Sequence, residues 1–135
     1  MKKFDNFVSH LAVLQKSPEQ DLNNEFIVSG IIDKFSIQFE LGWKVLKELL
    51  LYEGISSGKT GAPREIIREA YQCFDFMEEE PWLLMLKERN NTAHIYNGDA
   101  AKLLIQQIIT DFIPEFENLK SGIEKKYKNV LDKLP

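Results

Sequence analysis

The chain has 135 residues, 44% hydrophobic and 28% charged, which is enough for one ordinary domain with its own core and too apolar for a disordered segment. Its net charge of −4 provides no global attraction to nucleic acid, so no DNA partner is expected and any RNA contact has to be local and directed by a pocket. Cys73 is the single cysteine, which excludes an intrachain disulfide framework or a cysteine-built zinc site and suits a reducing cytoplasm.

Residues 1–135 read as one helical domain, with no alternating stretch that reads as a strand. Near the N-terminus, Asp5, Asn6 and His10 interrupt any signal-peptide core, and no run is long and apolar enough to span a bilayer. Phe4, Phe7, Val8, Leu11 and Leu14 predict a first helix from Phe4 to Gln15, stopped at Ser17-Pro18. Asn23 or Asn24 can cap a second, long helix that runs to about Glu53 and ends at Gly54. That helix carries two apolar stripes, one through Ile27, Ile31, Val45 and Leu49 and another through Val28, Phe35, Phe39 and Leu46, so it is expected at the centre of the fold.

The segment "GISSGKTGAP" is the one long loop, and Pro63 suits the first turn of a helix through "REIIREAYQCF". Pro81, after three glutamates, is expected to open a fourth helix, with the carboxylates at its positive end. "YNGD" breaks it, Asp99 can cap the last helix, and Pro114 should kink that helix without ending it. The lysine-rich tail from Lys120 to Pro135 reads as a frayed or solvated helical end. Long helices with short connections pack as antiparallel neighbours, so the expected architecture is an all-α, up-and-down four-helix bundle with one additional helix. The surplus of apolar surface on the second helix points to a homodimer.

One stretch departs from a plain bundle. At helical spacing Trp82, Met85, Leu86, Arg89, Ala93 and Tyr96 share a stripe, which puts the Arg89 charge in the apolar row. An unpaired guanidinium there would cost several kcal/mol or more, so Arg89 must meet a carboxylate, a carbonyl or an anion from outside. His94 can accept or donate a proton near neutrality, for instance to activate a ribose 2′-hydroxyl. Arg89 can hold phosphate oxygens and stabilise the charge that builds on them, and no metal or cofactor is required. The same letters also fit a plain structural reading: Arg89 pairs with Glu40 or Glu88, His94 bonds a helix-end carbonyl and Tyr96 is a core aromatic.

Arg89, four residues, His94, one residue and Tyr96 resemble the signature of the HEPN superfamily of small, often dimeric helical bundles. More specifically, "FELGWKVLKELLLYEGI", "APREIIREAYQCF" and "WLLMLKERNNTAHIY" are similar to the nucleotidyltransferase substrate-binding proteins, over roughly Phe4 to Leu119. The ordered set of Phe39, Glu40, Trp43, Lys44, Pro63, Trp82, Arg89, Asn90, His94 and Tyr96 carries the likeness, whereas the Arg-His spacing alone is a weak signal. The resemblance implies a separate minimal nucleotidyltransferase as partner and a toxin-antitoxin pairing. In that scheme Arg89, Asn90 and His94 form a metal-independent ribonuclease site acting on RNA, and Tyr96 accepts AMP from the partner. Glu40, Trp43, Lys44 and Trp82 would bind the anion or support the site. The older interpretation of the family is a non-catalytic subunit that holds a nucleotide or other substrate for the transferase.

Other patterns carry less. "SSGKTGAP" lacks the first glycine of a phosphate loop, since Glu53 stands there, although Lys59 and Arg64 could reach a phosphate if the loop folds over the cleft. No D-x-D pattern occurs, so nucleotidyl transfer by this chain itself is not expected. His10 reads as a surface histidine, Glu78 to Glu80 as a helix start and Glu40 with Lys44 as an ordinary helix ion pair.

Overall fold

A computed structural model describes residues 1–55, 61–92 and 98–135. The described residues are helical, in the order α1 (Lys2–Leu14), α2 (Glu25–Tyr52), α3 (Pro63–Cys73), α4 (Glu79–Asn91), α5 (Gly98–Gln107) and α6 (Ile113–Tyr127), with a π-helical segment (Ile108–Phe112) joining α5 to α6. No helix among them is long and apolar enough to cross a membrane.

The local signals act where the sequence places them. Asn24, the second of the two candidate caps, accepts from the backbone N–H of Phe26 at 2.9 Å and of Ile27 at 3.3 Å, which starts α2. Gly54, at φ +78°, ends it: its N–H donates to the Leu51 carbonyl and that of Ile55 to Leu50, the pattern in which a left-handed residue satisfies the last helical carbonyls. Pro63 is the first residue of α3. Two predicted starts shift. Pro81 is the third residue of α4, which begins at Glu79, because the first-turn N–H groups have no helical partner and a proline is tolerated at any of them. Asp99 lies in the first turn of α5, where its charge still faces the positive helix end, and does not precede the helix as a cap. Pro114 keeps the helix going as expected, and the strain is taken up just upstream. Its missing N–H breaks the α-helical bond to Thr110, and the wider π turn over Ile108–Phe112 accommodates the break while Thr110 Oγ1 donates to the Gln106 carbonyl at 2.7 Å.

Side-chain pairings set the directions. Lys3 meets Glu48 while His10 meets Gln38, so α1 and α2 are antiparallel. Phe39 and Gly42 touch Trp82 while Glu40 reaches Arg89, so α4 also runs against α2. Phe35 stacks on Phe112 at 5.2 Å and Glu53 meets Tyr127, so the last helix runs with α2. The result is the expected all-α bundle, with α3 as the additional helix and α2 at the centre, and its core draws on every helix.

The tail is more ordered than its lysines suggest. Leu119, Ile123 and Tyr127 are buried at four-residue spacing, and the N-terminal ammonium donates to the Leu131 carbonyl at 2.6 Å. Of the two expectations for this end, frayed or solvated helix, residues up to Tyr127 follow the second: a packed helix with a solvated lysine face. Tyr127 donates its hydroxyl to Glu53 Oε1 at 2.7 Å, and burial together with that carboxylate raises its pKa well above the usual phenol range. Its neighbour Cys73 is also raised, by burial first and by Glu53 next. His10, read as a surface residue, is half-buried: its Nδ1 lies 2.6 Å from Gln38 Oε1, and the fully buried Gln38 amide donates to the Phe7 carbonyl at 3.0 Å.

Candidate functional site

The site is built where α4 crosses α2. Trp82, Met85 and Leu86 form the buried face of α4, and Arg89 follows on the same face at the edge of the core. Trp82 is fully buried, with its ring 6.0 Å from Phe39 and 5.6 Å, edge-on, from Phe116. It lies so close to α2 that a Cβ on Gly42 would sit 2.8 Å from Trp82 Cη2. Trp82 is thus a support beneath the site, and its indole is out of reach of a ligand.

Arg89 meets the carboxylate that the sequence offered as one of two candidates. Arg89 Nη1 pairs with Glu40 Oε1, and the guanidinium carbon lies 5.3 Å from the centre of the Phe39 ring. Arg89 Nε is buried and has no acceptor among the described residues. The second oxygen of Glu40 accepts from Trp43 Nε1 at 3.1 Å and faces Lys44 Nζ at 3.7 Å. The pair is about a third exposed, 26% for Arg89 and 32% for Glu40, so screening holds its contribution to roughly 1 kcal/mol. Lys44 also flanks the Trp43 ring, at 6.0 Å.

Ser36, Ile37, Glu40, Leu41, Lys44 and Arg89 line a groove of about 230 Å³ along this ion pair. Arg89 and Lys44 supply positive charge, while Ile37 and Leu41 form an apolar wall. An anion attached to a flat or apolar group fits that combination. Asn90 is exposed at the end of α4, and Thr92 caps that end by donating its hydroxyl to the Arg89 carbonyl at 2.8 Å. Ala93, His94 and Tyr96 lie outside the described residues, as does Lys59 of the "SSGKT" segment.

The described structure therefore brings together Glu40, Trp43, Lys44 and Arg89, with Trp82 beneath them. Sequence reasoning named Phe39 only as part of the family pattern and missed Ser36, Ile37 and Leu41. Phe39 is the surface on which the guanidinium rests, and Ile37 and Leu41 form the wall. The signal was present, because Ser36, Ile37, Glu40, Leu41 and Lys44 recur at three- and four-residue spacing and so share one flank of α2.

Comparison with known proteins places the chain in a family. The model of the family described as "Nucleotidyltransferase substrate binding protein like" matches residues 2–125. A protein of Haemophilus influenzae (strain ATCC 51907 / DSM 11121 / KW20 / Rd), named "Probable ribonuclease HepT", is 31% identical over 102 residues, which cover 74% of this chain and 69% of that protein.

Proposed function

The chain belongs to the HEPN-like family of nucleotidyltransferase substrate-binding proteins, and from that premise we propose that it is the helical partner of a separate minimal nucleotidyltransferase and the toxin half of that pair, with latent metal-independent ribonuclease chemistry. The main support is the Arg89 guanidinium, held at a groove that also carries Lys44 and an apolar wall, in a chain similar to a protein named as a ribonuclease. In this reading His94 takes the proton of a ribose 2′-hydroxyl, the freed oxygen attacks the adjacent phosphorus, and the 5′-oxygen leaves with a proton returned to it. A 2′,3′-cyclic phosphate remains. Arg89 stabilises the extra negative charge on the phosphate oxygens, and Asn90 assists from the next position.

Two regulatory features belong to the same reading. Tyr96 is the acceptor of AMP: its oxygen attacks the α-phosphorus of ATP on the partner transferase, and pyrophosphate leaves. A second copy of the chain covers the exposed start of α2, where Phe26 is 82% exposed, which makes the protein a homodimer in the cytoplasm.

A non-catalytic subunit that holds a nucleotide for the transferase is favoured by a different observation: Arg89 already has an internal counter-charge in Glu40, which holds the guanidinium at the groove. Purified protein incubated with RNA and a chelator separates the two. Cleavage lost in His94→Ala and lowered by about 100-fold or more in Arg89→Ala is expected for the ribonuclease. Cleavage unchanged in His94→Ala would assign it to a contaminant. Nucleotide binding that needs Arg89, without any cleavage, would select the subunit. Incubation with the transferase and ATP should add one AMP to the intact mass, and the gain should vanish in Tyr96→Phe.

A further inference from the structure

We infer that Glu40 is a built-in competitor for the anion site at Arg89: the groove is closed by charge at rest and opens to a phosphate-bearing ligand that draws the guanidinium off this carboxylate. The inference deepens the reading above and rests on Arg89 being an anion anchor.

Three features of the geometry converge on it. First, Glu40 Oε1 occupies Nη1 of Arg89, while Nε, at the other corner of the guanidinium fork, is buried and has no acceptor among the described residues. A ligand seeking a two-pronged grip on the Nε edge finds no access until the side chain turns outward. Second, the displaced carboxylate is not left stranded. Trp43 Nε1 at 3.1 Å and Lys44 at 3.7 Å hold its other oxygen and remain after Arg89 has gone. Taking a carboxylate's only partner away costs far more than taking one of three, so this arrangement keeps the exchange inexpensive. Third, the exchange takes place beside an open groove, with Arg89 26% and Lys44 51% exposed, so an incoming anion can reach both cations.

The competition also sets specificity. A ligand with one negative charge only replaces the charge that Glu40 already provides. One with two adjacent anionic groups can satisfy Arg89 with the first and Lys44 with the second, and so gains over the resting state. Polyphosphates, or successive phosphates of one strand, are the chemical class that fits.

Calorimetric titration of the full chain with pyrophosphate tests this. Glu40→Gln should bind roughly tenfold more tightly than the unsubstituted protein, since one opposing charge has been removed at contact distance. The gain should disappear in the Glu40→Gln, Arg89→Ala double variant. Should Glu40→Gln fail to unfold cooperatively, Glu40→Asp takes its place: it keeps the charge but withdraws it by one methylene, and a severalfold gain is expected. Affinity equal to or below that of the unsubstituted protein would overturn the inference, as would a gain that survives loss of Arg89 or an absence of binding in every variant. The outcome is separable from that of the ribonuclease test. Tightening through Arg89 without RNA cleavage sinks the enzyme and keeps the competitor, and cleavage dependent on His94 without tightening does the reverse.

Discussion

The two ends of α4 meet the same stretch of α2 in opposite ways. At Trp82 the contact is dry: the indole lies over Gly42 between Phe39 and Phe116, and the absence of a side chain at Gly42 is what lets the helices approach. Two turns later, at Arg89, the contact is an ion pair to Glu40 beside an open groove. Residues 39 to 43, "FELGW", serve both ends, since Gly42 seats the tryptophan while Glu40 and Trp43 fix the arginine. The difference teaches that tight packing and access to solvent can be divided along a single helix. The buried end holds α4 in place, so the charged end need not contribute much to folding and is free to exchange partners.

Substitutions at each end test that division. Trp82→Ala should have the largest effect, about 3–5 kcal/mol lost in urea unfolding, because a fully buried aromatic leaves a cavity that close-packed rings cannot refill. A loss under about 1 kcal/mol would mean that the dry contact is not the seat of α4. Gly42→Ala approaches the same contact from the other helix. Overpacking against Trp82 should cost about 1–3 kcal/mol, partly offset by the roughly 1 kcal/mol by which alanine favours a helix interior, so a small net destabilisation is expected.

At the charged end, a double-mutant cycle between Arg89→Ala and Glu40→Ala should give a coupling of only about 1 kcal/mol, declining as salt is added. A coupling as large as the Trp82 loss would collapse the distinction between the two ends. The smallest effect is expected at a third polar contact, between Tyr127 and Glu53, and only in alkali. The folded-state pKa of Tyr127 lies above its unfolded value of about 10, so the stability it contributes is fully present below that pH and is lost as pH rises beyond it. Urea midpoints measured across that range should fall in the unsubstituted protein and fall less in Tyr127→Phe.

Much of this was legible in the sequence, for reasons that individual residues make plain. Asn24, Gly54 and Pro63 work through their own backbone neighbours, so a linear reading finds them. For the tail, the count of lysines left a frayed and a solvated helical end both open, whereas the spacing of Leu119, Ile123 and Tyr127 is the part that packing reads. Gln38 gave no sign of its role, since a lone glutamine is buried only if a distant partner receives it, and Phe7 and His10 belong to another helix. Glu40 and Glu88 were both candidates for Arg89, Glu40 also through the family pattern, until the crossing of α2 and α4 chose between them.

By itself the sequence determined the helices, both ends and the central place of α2, and the family, because periodicity and capping are short-range effects written into neighbouring residues. Only the tertiary structure decided that Gly42 lies under Trp82, that Arg89 rests on Phe39 and pairs with Glu40, and that Ile37, Leu41 and Lys44 border a groove beside that pair. Those contacts join residues more than thirty positions apart in the chain, and their existence depends on the angle and distance at which two helices cross, which no local pattern encodes.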